Sequence, residues 1–314
     1  MRQNAPKPRQ SINEYYRLNA RIVIKTIGDC MTLWQALLLG IVQGLSEFLP
    51  ISSSGHLLLL EKLLGNSLNA NEYLFFNVAV HVGTLLAVLM SLRKTWLPLI
   101  KHPFCKTNAF VLVACLPTVA LAVIFKLFLP KLIDGAFLGF GFCLTAFLLF
   151  LADNFSKPKA VSFLLYPQEN TIQVMPTKHK RKISQSALYN IKTSILTGVI
   201  QGIAVLPGVS RSGATICTLR LCGIEKEQAT TFSFLLSIPI IIGSAIYEIL
   251  PVLGGEIVLT ISPLAIVIGM VCAFISGLLS INFFLKLTKH HSMSAFSIYT
   301  LLLGILVSVL PLIV

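Results

Sequence analysis

Two short polar stretches interrupt an otherwise strongly apolar chain, and they hold the residues best suited to chemistry. The first, EFLPISSSGH, covers residues 47–56. Gln43 and Glu47 are four residues apart, so they share one face of a helix. Glu47 lies inside an apolar run, where an ionisable group is costly and is a functional candidate by default. The same stretch adds three hydroxyls and an imidazole, on Ser52, Ser53, Ser54 and His56.

The second stretch, LPGVSRSGAT at residues 206–215, has the composition of an anion-binding site. The guanidinium of Arg211 presents a planar fork of donors that suits phosphate oxygens. A glycine-containing bend and a helix N-terminus beside it would add backbone N–H donors. The hydroxyls expected to hold phosphate are those of Ser52, Ser54, Ser210, Ser212 and Thr215.

Together the two stretches supply the groups needed for phosphoryl transfer. Catalysis of that reaction is mainly positioning and neutralisation of the charge that spreads over the oxygens. We expect Ser53 to attack phosphorus and form a phosphoserine, with Glu47 as its general base and Arg211 holding the phosphates. His56 would protonate the leaving group or orient the site. Direct attack by His56 and attack by metal-activated water are competing mechanisms.

Each of these residues also has a structural interpretation. Serine is a preferred N-cap, so the serines at 52–54 could simply begin a helix. Glu47 could lie at the interface, at the end of a helix. An ion pair between Glu47 and Arg211 could exist without a ligand, but it would not explain the hydroxyls. His81 is interpreted as a packed helix residue.

The elements that must position these residues are membrane helices. Of the 314 residues, 55% are hydrophobic and only 12% are charged, against about 25% charged in a typical soluble domain. Several apolar stretches of about 20 residues can cross a bilayer as helices. The composition therefore predicts an all-α polytopic integral membrane protein. Six transmembrane helices are expected near 73–92, 108–129, 135–153, 230–250, 259–285 and 294–313.

The two polar stretches divide apolar regions whose halves are short. Residues 32–65 and 188–222 are each cut near the middle by Pro, Gly and Ser. The arms that remain have about 12 to 18 residues, mostly too few to span upright at 1.5 Å per residue. We therefore predict two re-entrant helical hairpins. Because irregular backbone cannot face lipid, the two breaks must face each other or a watery cavity.

The two broken regions resemble each other in sequence. GIVQGLSEFLPISSSGHL begins at Gly40 and GVIQGIAVLPGVSRSGAT begins at Gly198, with the Gln-Gly and Ser-Gly pairs at the same spacing. Each is followed by three spans, an odd number, so the second copy enters from the opposite side. Such an inverted-topology repeat places a shared polar site near the bilayer midplane. The predicted units are a polar extension 1–31, a first repeat 32–153, a cytoplasmic linker 154–187 and a second repeat 188–314.

Charge predicts how the chain lies in the membrane. The formal net charge is +13. The side that is expected to be cytoplasmic carries 14 lysines and arginines, in loops 93–107, 154–192, 223–229 and 286–293. Both termini and the mouth of the first hairpin would then face outward. The basic residues of the N-terminal tail argue weakly against this orientation, unless translation starts at Met31.

Composition argues against several other classes of protein. The basic residues are scattered and accompany no nucleic-acid-binding module. The seven cysteines form no CxxC pair and mostly lie in apolar stretches, so neither a disulfide framework nor a zinc site is supported. Residues 1–30 lack the apolar core of a signal peptide. The oligomeric state is not predicted.

QGLSEFLPISSSGH and LPGVSRSGATI closely resemble the two signature motifs of the undecaprenyl-diphosphate phosphatase family, also known for bacitracin resistance. The resemblance runs from about residue 33 to the C-terminus and includes FSFLLSIPIIIG at 232–243. It implies a bacterial inner-membrane enzyme that removes the terminal phosphate of undecaprenyl diphosphate, a polyprenyl diphosphate lipid. The product is the carrier for peptidoglycan synthesis. The resemblance also implies an outward-facing site and a divalent cation, Mg²⁺ or Ca²⁺.

The first motif of the resemblance takes its amide form here. The family pattern is Glu or Gln, three residues, then Glu, and this chain has Gln43 and Glu47. The amide weakens any role that needs two carboxylates. The metal ligands would be Glu47 and, directly or through water, Gln43.

A lipid flippase or secondary transporter is the alternative function. Inverted repeats with broken helices are common in transporters. A protein that both hydrolyses the lipid and returns it across the membrane is compatible with the same repeat.

Overall fold

The computed structural model describes residues 31–64, 70–133, 135, 137–156, 190–254 and 261–309. All regular elements within these ranges are α-helices, which confirms the predicted fold class at that level. They are α1 (Leu33–Phe48), α2 (Ser53–Leu63), α3 (Ala70–Ser91), α4 (Arg93–Lys101), α5 (Lys106–Phe128), α6 (Pro130–Ile133), α7 (Leu138–Phe155), α8 (Ile191–Ile203), α9 (Arg211–Leu221), α10 (Lys226–Leu253), α11 (Pro263–His290) and α12 (Ser294–Val309).

Four of these helices, α5, α7, α10 and α11, are long and apolar enough to cross a membrane. A fifth candidate is α3 taken together with α4. The sixth predicted span corresponds to α12, which has 16 residues, and its predicted end at 310–313 lies outside the described residues. The chain is therefore a multi-pass membrane protein, with four or five candidate spans by length and composition.

The predicted loop at 93–107 is wrong in its first part, because residues Arg93–Lys101 form α4. This helix is bent by 84° from α3. The indole N–H of Trp96 donates to the carbonyl of Leu89 at 2.7 Å and so ties the bend together. Arg93 and Lys101 are exposed while Leu99 is buried, which is the pattern of a helix at the edge of an apolar core.

Both predicted breaks lie between two short helices. The first separates α1 from α2 at residues 49–52, and the second separates α8 from α9 at residues 204–210. Helix α1 ends before Pro50, whose ring disfavours helical backbone at the preceding residue. At 1.5 Å per residue, α1 is about 24 Å long and α8 about 20 Å, both less than the roughly 30 Å hydrocarbon core.

A serine begins the second helix after each break. The Ser52 hydroxyl accepts the Gly55 N–H at 3.4 Å, and the Ser210 hydroxyl accepts the Gly213 N–H at 3.0 Å. Each hydroxyl thus satisfies one of the free donors at a helix N-terminus. The capping interpretation is therefore confirmed for Ser52, and Ser210 has the same role at the second break. It does not account for Ser53 or Ser54.

Each broken region packs against helices from the other half of the chain. Helix α1 lies along α11, and α8 lies along α5. Glycines permit both contacts: a Cβ on Gly44 would overlap the Ser276 side chain and the backbone of α11, and a Cβ on Gly198 would overlap the Ala114 carbonyl of α5. Small residues allow such close helix approach in membranes. Glycines of the internal repeat thus permit a close helix contact in both copies.

The largest hydrophobic cluster lies next to the first break. Phe48, the last residue of α1, packs edge-to-face against Phe234 of α10, with ring centroids 5.3 Å apart. Phe284 of α11 and Ile216 of α9 belong to the same cluster. Three helices, α9, α10 and α11, therefore pack around the end of α1, and with it Glu47.

Candidate functional site

The site forms where the C-terminus of α1 meets the N-termini of α2 and α9. Glu47 lies in the last turn of α1, Ser53 is the first residue of α2, and Arg211 is the first residue of α9. The Arg211 guanidinium donates to Glu47 Oε1, although the two residues are 164 positions apart. Ser53 Oγ donates to Glu47 Oε2 at 2.5 Å. The structure thus brings together three of the predicted catalytic residues.

Electrostatics explains why Glu47 and Arg211 pair. The Glu47 side chain is only 3% exposed and lies near the negative end of the α1 dipole. It therefore needs cations and hydrogen-bond donors. Arg211, whose side chain is 23% exposed, supplies the charge. The first residues of α2 and α9 both contact Glu47, so the positive ends of two helix dipoles lie beside it, an arrangement suited to anions.

Gln43 lies one turn before Glu47, as predicted. Its Nε2 donates to Glu47 Oε2 at 3.1 Å. Its Oε1 is buried and has no hydrogen-bond partner within the described residues. An amide oxygen beside a carboxylate is the type of ligand that Mg²⁺ and Ca²⁺ prefer, so the two residues fit a divalent cation. The described ranges hold no cluster of three or more His, Cys, Asp or Glu that could bind one alone.

His81 belongs to this site, and its interpretation as a packed helix residue was incomplete. Its Nε2 lies 3.6 Å from Glu47 Oε2. Its Nδ1 is 2.7 Å from the Asn77 carbonyl, which can only accept, so Nδ1 carries a hydrogen. Asn77 and His81 are four residues apart in an apolar helix, and that spacing is the signal that could have identified them.

The hydroxyls of the second break form a connected set. Ser212 Oγ lies 3.2 Å from Ser210 Oγ and 3.2 Å from the carbonyl of Leu49 at the first break. Thr215 Oγ1 lies 2.5 Å from Ser233 Oγ of α10. At the first break, the hydroxyls of Ser52 and Ser54 are 3.4 Å apart.

A small pocket opens beside the ion pair. Polar and aromatic residues from α1, α9 and α10 line it, namely Glu47, Phe48, Arg211, Ser212, Ser233, Phe234 and Ser237. Ser233 and Ser237 were not identified from the sequence as site residues. Their spacing of four within an apolar stretch places both on one helix face.

His56 lies in α2 and is bonded at both ring nitrogens. Nδ1 is 2.7 Å from the Ser52 carbonyl, and Nε2 is 2.7 Å from the hydroxyl of Tyr299 in α12. These contacts direct the imidazole toward α12. Tyr299 gave no signal in the sequence, because its only connection to the site is through the fold.

The chain is similar to known proteins over most of its length. The family described as bacitracin resistance protein BacA matches residues 36–306 of the chain. A protein of Carboxydothermus hydrogenoformans named undecaprenyl-diphosphatase is 34% identical over 282 residues, which are 89% of this chain and 98% of that protein. Undecaprenyl-diphosphatase 4 of Bacillus cereus is 34% identical over 274 residues, covering 87% and 95% of the two chains. Undecaprenyl-diphosphatase of Christiangramia forsetii is 34% identical over 285 residues, covering 88% and 97%.

Proposed function

This chain belongs to the bacitracin resistance protein BacA family, and from that premise we propose that it hydrolyses undecaprenyl diphosphate to undecaprenyl phosphate and inorganic phosphate. The observation that carries the proposal is the contact of Ser53, Glu47 and Arg211 across the two breaks. A nucleophile, its base and a phosphate-binding cation meet there beside a cavity.

Ser53 is the proposed nucleophile. Its Oγ already donates to Glu47 Oε2, so Glu47 can take that proton as Oγ attacks the terminal phosphorus. A Ser53 Oγ–phosphorus bond forms, the bond from phosphorus to the bridging oxygen breaks, and undecaprenyl phosphate leaves. Water then attacks the phosphoserine and the Ser53 Oγ–phosphorus bond breaks. Glu47 returns its proton to Ser53 Oγ, and the oxygen and both hydrogens of the water leave with inorganic phosphate as H₂PO₄⁻.

Arg211 is proposed to exchange partners during the reaction. In the structure its guanidinium is paired with Glu47. Phosphate oxygens in the cavity would compete with Glu47 for the guanidinium and would also bind its remaining donors, because a guanidinium carries five N–H groups in a fork. The hydroxyls of Ser52, Ser54, Ser210, Ser212 and Thr215 would supply further donors.

The cavity walls fit an amphipathic substrate. Phe48 and Phe234 form its apolar side, and the serines and Arg211 form its polar side. We propose that the polyprenyl tail stays between helices while the diphosphate reaches the polar side. A divalent cation would be held by Glu47 and the free amide oxygen of Gln43, with water and phosphate as further ligands. When bound, such a cation neutralises charge on the phosphate oxygens.

The finer architecture is also part of the proposal. We propose six spans and two re-entrant hairpins, arranged as repeats 32–153 and 188–314 of inverted topology. Helix α1 of the first half packs along α11 of the second half, and α8 of the second half packs along α5 of the first. This reciprocal packing supports the repeat. The protein would lie in the bacterial inner membrane with its basic loops in the cytoplasm and its site facing outward. There it would recycle the lipid carrier for peptidoglycan synthesis, and loss of the free diphosphate would confer bacitracin resistance.

Phosphate release in detergent tests the function. Purified protein should release inorganic phosphate from a polyprenyl diphosphate, and Arg211→Ala should abolish the release. Arg93→Ala, an exposed arginine in α4, is the control and should retain wild-type activity. A chelator should remove activity that Mg²⁺ or Ca²⁺ restores.

A transporter gives a different result in the same experiment. A flippase breaks no phosphate bond, so it would release no phosphate. Detergent leaves no second compartment, so transport would not be seen there either. A flippase would instead move labelled lipid across a vesicle membrane. If the wild-type protein moved lipid but released no phosphate, the proposed phosphatase function would be wrong and the flippase function would take its place.

A further inference from the structure

A tyrosine near the end of the chain is bonded to the first break. The Tyr299 hydroxyl lies 2.7 Å from His56 Nε2, and the two rings are stacked with centroids 5.7 Å apart and planes 14° apart. Phe142 of α7 also contacts the imidazole edge-on, with ring centroids 5.4 Å apart. The His56 ring is therefore fixed by residues of α7 and α12.

Hydrogen-bond direction assigns the protons of this contact. The Ser52 carbonyl can only accept, so His56 Nδ1 carries a hydrogen and donates to it at 2.7 Å. In the neutral imidazole, Nε2 is then an acceptor. Tyr299 must then be the donor of the second bond, and this bond stabilises the tautomer that the Ser52 carbonyl requires.

The carbonyl that His56 holds belongs to an unusual residue. Ser52 is the only non-glycine residue in the described ranges with positive φ, at 71°. Such backbone is strained in an L-residue and persists only when neighbouring contacts hold it. The Ser52 carbonyl also accepts the backbone N–H of His56 at 3.2 Å, and the Ser52 hydroxyl accepts the Gly55 N–H. His56 thus provides two of the bonds that hold this conformation.

We propose that Tyr299 is a positioning residue for the phosphatase reaction, acting through His56 on the backbone of Ser52. Ser53 follows Ser52 directly, so the conformation of Ser52 sets where the Ser53 hydroxyl lies. That hydroxyl is 2.5 Å from the carboxylate of Glu47. The inference rests on the proposed function, since it concerns the orientation of the same nucleophile.

Simple packing does not account for the contact. Tyr299 is 45% exposed, so phenylalanine would fit its position equally well. The Tyr299 hydroxyl is hydrogen-bonded to His56 Nε2, and His56 Nδ1 is already bonded to the Ser52 carbonyl. Removing only this hydroxyl therefore separates positioning from packing.

Tyr299→Phe is the test, with Tyr247→Phe as the matched control. Tyr247 lies in α10, is 57% exposed, and has Lys126 over its ring, a contact that phenylalanine keeps. We expect Tyr299→Phe to lower kcat about fivefold, the size of one neutral hydrogen bond. KM should stay within about twofold, because the substrate-binding groups are unchanged. The Tm in detergent should fall below that of Tyr247→Phe by no more than the loss of one hydrogen bond allows, because the packing is unchanged. Tyr247→Phe should match wild type throughout.

A glycine at position 52 tests the route of the effect. Glycine adopts positive φ without strain, so Ser52→Gly should make the His56 contact less important. In that background, Tyr299→Phe should lower kcat by less than about twofold. An unreduced fivefold loss there, or a Tyr299→Phe kcat equal to wild type, would overturn the inference while leaving the phosphatase function intact.

A measurement without turnover keeps the inference separate from the function. The ¹⁵N signals of His56, assigned by their loss in His56→Asn, report which ring nitrogen carries hydrogen. Tyr299→Phe should shift the Nε2 signal and leave the other histidines unchanged. An unchanged Nε2 signal would show that the tyrosine does not act on His56, whether or not phosphate is released.

Discussion

Replacing Glu47 with glutamine separates the two roles of this carboxylate. Glutamine has the same shape, and its one oxygen can still accept from Arg211. It lacks the second acceptor oxygen, so the Ser53 hydroxyl loses its base. The change also leaves Arg211 as a charge without a counterion in a mostly buried position.

The structure gives the size of both effects. A positioned general base contributes about 10²–10⁴ in rate. The 2.5 Å Ser53–Glu47 contact is already well formed, so we expect kcat to fall about 10³-fold. Breaking a buried ion pair costs about 3–5 kcal/mol. Arg211 keeps 23% of its side-chain surface exposed, which reduces the expected loss to about 2–3 kcal/mol.

Phosphate release and thermal unfolding in detergent measure the two quantities. Glu225→Gln is the matched control, since Glu225 is exposed and its side chain makes no capping hydrogen bond. It should leave kcat and Tm unchanged. Adding Arg211→Gln to Glu47→Gln should recover part of the lost stability, because it removes the unpaired charge, but no activity.

Two results would refute this reasoning. If Glu47→Gln kept more than a tenth of the wild-type kcat, Glu47 could not be the base for Ser53. If Arg211→Gln lowered the stability of the Glu47→Gln protein further, instead of recovering part of it, the broken ion pair would not be the source of the lost stability.

Two further predictions concern the cavity wall and the packing of the broken helix. Ser237→Ala should raise KM severalfold with little change in Tm, because Ser237 lines the cavity. Ser244→Ala is the control: Ser244 is exposed and, like Ser237, donates to a backbone carbonyl of its own helix. It should not alter KM. Equal KM values for the two variants would exclude Ser237 from substrate binding. Gly44→Ala should destabilise the protein by about 1–3 kcal/mol, because its Cβ would overlap α11. Gly243→Ala meets nothing within 4 Å and should be neutral or slightly stabilising; if thermal unfolding gave the same Tm for both glycine variants, the close contact of α1 with α11 would be wrong.

The sequence alone determined the membrane class, the two breaks and the central residues of the site. These are local properties, since apolar length predicts a spanning helix and Pro, Gly and Ser interrupt one. Glu47 and Arg211 were identifiable because a charge in apolar surroundings needs a partner. The internal repeat allowed both breaks to be assigned to one site before their distance was known.

The tertiary structure decided which side chains meet across helices. His81, Ser233 and Ser237 join the site through the packing of α3 and α10, and Tyr299 reaches His56 from 243 positions away. The 84° bend at the end of α3 also depends on a side-chain contact, from Trp96. Hydrophobic patterning places a residue on a helix face but does not fix how that helix rotates against its neighbours. Close packing at positions such as Gly44 sets that rotation, so these contacts became visible only when the helices were assembled.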